Sequence, residues 1–105
     1  MALEIQSKGD LYSVLESAGS RLVVVQFYAK WCGSCKAIFP AFMDIIHRYR
    51  NVLFARVDID EVQELTHYFH IKSTPTFQFY QNEEKLDEFS GSKAEALENR
   101  IRELM

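Results

Sequence analysis

The chain's only two cysteines stand three residues apart in Trp31-Cys32-Gly33-Ser34-Cys35, just past the apolar run Leu22-Val23-Val24-Val25-Gln26-Phe27. A buried strand that leads into a C-x-x-C and then opens a helix sets one thiol at a helix N-terminus. There the unpaired backbone N–H groups and the positive end of the dipole favour thiolate. Thiolate is the reactive form, so the pattern reads as dithiol–disulfide exchange. The alternatives are a buried structural pair or half of a zinc site. Zinc normally takes four ligands, and no second C-x-x-C or spaced Cys/His pair completes a set. His67-x-x-His70 has the i,i+3 spacing of paired ligands, but no third ligand stands near it in the chain. Ligand count therefore favours redox over metal.

The elements that must position this motif alternate along the chain. Leu3 and Ile5 suggest a short edge strand. Leu11, Val14, Leu15 and Ala18 recur at helical spacing behind a candidate Ser7 cap, with Gly19 as a stop. Leu22 to Tyr28 is nearly all apolar and rich in valine, as a strand buried on both faces should be. From Ser34 to Tyr49 the helical pattern runs Ile38, Phe42, Ile45/Ile46, Tyr49, and Pro40 inside it predicts a kink. Val52 to Ile59 reads as a second buried strand. Asp60 with Gln63 predicts a capping box for a helix on Val62, Leu65 and Phe69. Thr76 to Tyr80 and Leu86 to Ser90 read as strands joined by a hairpin over residues 81–85. Ser92-x-x-Glu95 predicts a second capping box before a last helix on Leu97, Ile101 and Leu104. The order β-α-β-α-β-α-β-β-α implies an α/β fold, a mixed sheet with helices on both faces.

The segment Val25-Gln26-Phe27-Tyr28-Ala29-Lys30-Trp31-Cys32-Gly33-Ser34-Cys35-Lys36 resembles the active-site segment of thioredoxins. Thr74-Pro75-Thr76-Phe77 resembles that family's cis-proline loop, and Val57-Asp58-Ile59-Asp60 and Phe89-Ser90-Gly91 also fall where the family has such segments. The resemblance spans essentially the whole chain as one domain, 1–105, and suits the cytosolic animal thioredoxins best. It implies the thioredoxin fold, a central mixed five-stranded sheet flanked by four helices. It also implies a protein-disulfide reductase, recycled by a flavin- and NADPH-dependent thioredoxin reductase. No cofactor is expected on the chain beyond its own Cys32–Cys35 disulfide, and no metal.

Cys32 leads the helix, so it is expected to be the more exposed thiol and the attacker, with Cys35 as the resolving thiol. Trp31 is expected to form an apolar platform for the target chain, and Thr74-Pro75 an opposing wall whose backbone pairs with an extended substrate. Gly33 permits close backbone approach, and Gly91 either completes that surface or serves only as a strand-to-helix turn. Two positions depart from the family: Ser34 stands where Pro is usual, and Gln26 where a buried Asp is usual. Both are expected to tune the dithiol. Lys36 and Arg56 could tune it by charge, although such residues are more often at the surface. Asp58, Asp60, Glu61 and Glu64 read as a helix start with a solvated face.

At 105 residues and 48% hydrophobic content, a single core can form. A net charge of −3 gives no electrostatic footprint for nucleic acid or anionic membrane, and no apolar run is long enough to span a bilayer. The N-terminal residues carry no basic flank and no signal-like stretch, which predicts a reducing compartment, the cytoplasm with the nucleus as a second site. Disulfide-containing target proteins and thioredoxin reductase are the expected partners of a monomer. A redox-gated docking module with little turnover is the competing reading.

Overall fold

The computed structural model describes residues 2–105. Strands β1 (Ala2–Glu4), β2 (Val23–Tyr28), β3 (Leu53–Asp58), β4 (Thr76–Gln81) and β5 (Glu84–Ser90) form one sheet in the order β1-β3-β2-β4-β5. The first three run parallel, which requires crossover helices; β4 and β5 are antiparallel to their neighbours. Helices α1 (Lys8–Ala18), α2 (Gly33–Arg48), α3 (Gln63–Tyr68) and α4 (Ala94–Leu104) complete the chain.

Strand alternation divides the core into two layers. Val23, Val25 and Phe27 pack with Leu11, Leu15 and Leu65 from α1 and α3. Val24, Phe77 and Phe79 pack with Ile38, Phe42 and Ile45 of α2 and Leu97 and Ile101 of α4. Phe42 lies edge-on to both Phe54 and Phe77, with ring centroids 5.9 and 5.7 Å away. This second layer anchors the helix that carries the dithiol.

Helix starts account for most of the differences from expectation. Ser7 does cap α1, accepting the Asp10 N–H at 3.0 Å, and Gly19 ends that helix at φ 61°. Neither predicted capping box forms. The last helix is capped at Lys93, one residue later than expected, with no side-chain cap bond. That shift puts Glu95 in the first turn, where it faces the dipole but cannot reach back to Ser92. α3 starts behind Val62, again without a side-chain cap bond, because the Asp60 carboxylate takes a different partner. α2 remains one continuous helix through Pro40. The hairpin loop is tighter than residues 81–85, with Asn82 and Glu83 alone between the strands at φ 52° and 67°. Two successive positive φ values match the right-handed twist of the strands they join.

Candidate active site

β2 delivers the chain to the rim of the sheet, and α2 begins there. Cys32 is the N-cap of α2 in extended backbone, and its sulfur accepts the Cys35 N–H at 3.1 Å. A side chain in that position satisfies a backbone donor that the first turn would otherwise leave free. Cys32 and Cys35 are joined as a disulfide with their Cα atoms 5.3 Å apart.

The expectation that Cys32 is the more exposed of the two cysteines is not met: each residue retains 5% of its accessible surface. Ala29 and the flanks of Tyr28 and Ile59 close over the pair. What separates the two sulfurs is their partners. Cys32 Sγ lies 3.1 Å from a backbone nitrogen, 3.4 Å from Ser34 Oγ and 3.4 Å from the Thr74 carbonyl oxygen. Among the described residues no hydrogen bond reaches Cys35 Sγ. The Cys35 N–H donated to Cys32 Sγ, with no donor at Cys35 Sγ, favours negative charge on Cys32.

The Thr74–Pro75 peptide is cis, and the loop lies against the dithiol through Thr74. The Ser34 hydroxyl donates to the Thr74 carbonyl at 3.1 Å, a contact between residues 40 apart in sequence. Gly91 sits beside this loop, with its N–H donated to the Pro75 carbonyl at 3.0 Å. Its φ of 140° is a conformation that suits glycine, as the turn reading expects. Nothing lies within 4 Å of where a Gly33 Cβ would stand, so that position is open to an approaching chain.

Trp31 is 68% exposed, and its indole N–H donates to Asp60 Oδ2 at 2.9 Å. The bond fixes a flat apolar surface at the mouth of the site. Asp60 is therefore a site residue that the helix-cap reading missed. Its neighbour Asp58 is buried rather than solvated, and accepts the Asp60 N–H at 3.0 Å. That turn holds Asp60 in place.

Gln26 is fully buried. Sheet alternation puts it on the same face as Val24, toward α2. Its Oε1 accepts from Arg56 Nε at 2.9 Å, while its Nε2 has no partner. Arg56 is not a free surface cation. Its guanidinium lies 3.8 Å from the Tyr28 ring centroid and 3.5 Å from Glu4. Burial, followed by the Glu4 charge, pushes the Tyr28 hydroxyl up to about 12. Arg56 and Cys35 both line a cavity of about 320 Å³, together with Tyr28, Lys30, Lys36 and Phe39. Three cations thus line the cavity beside Cys35, one of them, Arg56, paired with Glu4. The signal that could have revealed Arg56 is its place in an otherwise apolar strand, where a charge needs a partner. Among the described residues no group of three His, Cys, Asp or Glu side chains is placed to hold a metal ion.

Comparison with known proteins agrees with this geometry. The thioredoxin family profile matches residues 5–103. Horse thioredoxin is 45% identical and human thioredoxin 44% identical, each over 105 residues covering all of both chains. The structure of Fasciola hepatica thioredoxin superposes with a TM-score of 0.95 at 30% identity, covering 98% of this chain and 99% of that one. The chain belongs to the thioredoxin family and, with its Cys32–Cys35 pair, is a protein thiol–disulfide oxidoreductase.

Proposed function

We propose that the chain works as a protein-disulfide reductase with Cys32 as attacking thiol and Cys35 as resolving thiol. The observation that carries the assignment is the N-cap position of Cys32, whose sulfur accepts the Cys35 N–H. In the reduced protein the Cys32 thiolate attacks a target disulfide, forming a mixed disulfide and expelling one target thiolate. Cys35 then loses its proton and attacks Cys32 Sγ, so the internal disulfide forms as the mixed one breaks and the second target thiolate leaves. Two electrons pass to the target, and the expelled thiolates take up protons from water and from Cys35.

Resetting the dithiol needs two electrons from outside the chain. A flavin- and NADPH-dependent thioredoxin reductase supplies them in this reading, as in the family. Trp31 and the Thr74–Pro75 loop receive the target, with Gly33 and Gly91 leaving room for its backbone. We place this activity in the cytoplasm and nucleus, where a two-cysteine chain with both thiols in one C-x-x-C fits a reducing environment.

Insulin reduction followed by NADPH consumption, with thioredoxin reductase present, tests turnover. Cys35→Ser should trap mixed disulfides with targets, and Cys32→Ser should trap none. Trapping by Cys32→Ser alone would reverse the roles of the two thiols. Trapping without any NADPH consumption would favour a redox-gated docking module.

A further inference from the structure

The Thr74 carbonyl is an unpaired backbone acceptor at the end of β4, beyond the last rung that pairs Phe27 with Thr76. β4 lies inside the sheet between β2 and β5, but the loop before it runs past the end of β2, and an extended chain laid along that loop can offer a backbone N–H to the Thr74 oxygen. In the disulfide form the position is already taken, because the Ser34 hydroxyl donates to it at 3.1 Å. Apart from Cys32 Sγ, Ser34 Oγ is the oxygen's only hydrogen-bonding neighbour among the described residues. Three atoms form a small triangle: Ser34 Oγ is 3.1 Å from Thr74 O and 3.4 Å from Cys32 Sγ, and Sγ is 3.4 Å from Thr74 O. The hydroxyl has one proton for two acceptors.

Which acceptor holds the proton depends on the sulfur. A disulfide sulfur is a weak acceptor, so the carbonyl keeps the hydrogen bond. A thiolate carries a full charge, and charge-assisted hydrogen bonds are roughly twice as strong as neutral ones. The thiolate also faces the carbonyl's lone pairs at 3.4 Å, a repulsion that a turned hydroxyl relieves. We infer that Ser34 couples target docking to the redox state: its hydroxyl occupies the Thr74 carbonyl when the disulfide is closed, and turns to Cys32 when thiolate forms. The reduced protein then presents a free backbone acceptor in the loop before β4 to an extended peptide, and closing the disulfide after turnover helps eject the product. Ser34 is a positioning residue in this scheme, and the inference rests on the reductase reading above.

The test uses a probe that cannot exchange, an insulin B-chain fragment with its cysteines replaced by serine. Affinity is measured at pH 8 by the fluorescence of Trp31, for reduced and oxidised forms of the parent, Ser34→Ala and Ser34→Thr. The parent's reduced form should bind about 2- to 10-fold tighter than its oxidised form, the range expected for one net hydrogen bond. In Ser34→Ala the oxidised form should tighten and the ratio fall to about 1, while Ser34→Thr, which keeps a hydroxyl, restores the parent ratio. The carbonyl carbon-13 resonance of Thr74 should move on reduction in the parent and stay in place in Ser34→Ala, a change that loss of packing alone does not produce. Equal affinity of the two parent forms, no binding to the parent's reduced form, or an unchanged ratio in Ser34→Ala overturns the inference. Insulin turnover on the same preparations separates the two readings: failure there with the affinity ratio intact removes the reductase assignment and leaves the switch standing.

Discussion

Placing a carboxylate at the buried position 26, by Gln26→Asp, should change kinetics and stability in opposite directions. Gln26 is fully buried, with one amide oxygen bonded to Arg56 and its Nε2 unpartnered. The unpartnered group costs about 1–3 kcal/mol in the parent, and the aspartate variant removes it. Against that gain stands the desolvation of a carboxylate, several kcal/mol before compensation. Arg56 offsets part of it, but its guanidinium is already shared with the Tyr28 ring and Glu4. The balance leaves the variant less stable than the parent by about 1–3 kcal/mol at neutral pH. The sign with pH follows from burial, which raises the folded-state value of the new carboxyl above its unfolded one. The penalty is absent below the unfolded value, near 4, and complete above the folded one. Urea denaturation at pH 4 and pH 8 should show the gap between variant and parent opening as pH rises. Gln26→Leu, which also removes the unpartnered amide but adds no charge, should show no such opening. The kinetic consequence is a titratable base added to the layer on which α2, the helix that carries Cys35, packs. Release from the mixed disulfide should rise by about 10²-fold, the low end for a positioned general base. Stopped-flow release no faster than the parent between pH 6 and 8, or a stability gap independent of pH, refutes the reasoning.

Ser34→Pro removes the hydroxyl that stands between the Thr74 carbonyl and Cys32 Sγ. Exchanging a neutral acceptor for a charged one on reduction is worth about 1 kcal/mol, or about 20 mV, so the variant's potential should fall by that amount. A glutathione redox titration giving an unchanged or higher potential contradicts this. Phe42→Ala empties a fully buried site between Phe54 and Phe77 and should cost about 3–5 kcal/mol in urea denaturation. A loss below about 2 kcal/mol would mean that the α2 layer collapses into the space. The Tyr49 hydroxyl, followed by Arg48, holds the Glu98 carboxyl below its ordinary 4.5, so its contribution is present above that value and fades as pH falls through the lower folded one. Glu98→Gln should therefore lower the melting temperature slightly at pH 7, as expected for so accessible a pair, and leave it unchanged once pH drops below the folded value. An equal loss at both pH values refutes the electrostatic account.

The reaction class was legible because it is local. Two cysteines at i and i+3, entering a helix behind a valine-rich strand, already contain the N-cap geometry that sets Cys32 apart. The nine elements were legible for a similar reason, since apolar spacing reports which face each segment buries. What failed was local pattern with a competing partner. Asp60 and Gln63 have capping-box spacing, yet the carboxylate goes to an indole 29 residues away. Ser92-x-x-Glu95 has the same spacing but sits one residue out of register with the helix. Exposure of the thiols was misjudged because a helix start is open only if no loop lies over it, and here the Thr74 loop does.

The tuning of the site is therefore a tertiary property even where its chemistry is not. Ser34 acts through a carbonyl 40 residues on, and Gln26 through a cation across the parallel β2–β3 pairing. Strand alternation offered a partial clue, since Phe54 and Arg56 share a face, so the cation had to lie over the same layer as Phe42. Where the family has proline and aspartate, this chain has two uncharged polar side chains: Ser34 beside the Cys32 sulfur, and Gln26 buried against Arg56. A hydroxyl can turn toward the charge when it forms; the buried amide of Gln26, held by Arg56 at one end, can neither turn nor titrate. If the carboxylate usual at position 26 is what deprotonates the resolving thiol, release of the target should be the slow step of this chain, and the Gln26→Asp stopped-flow comparison decides it.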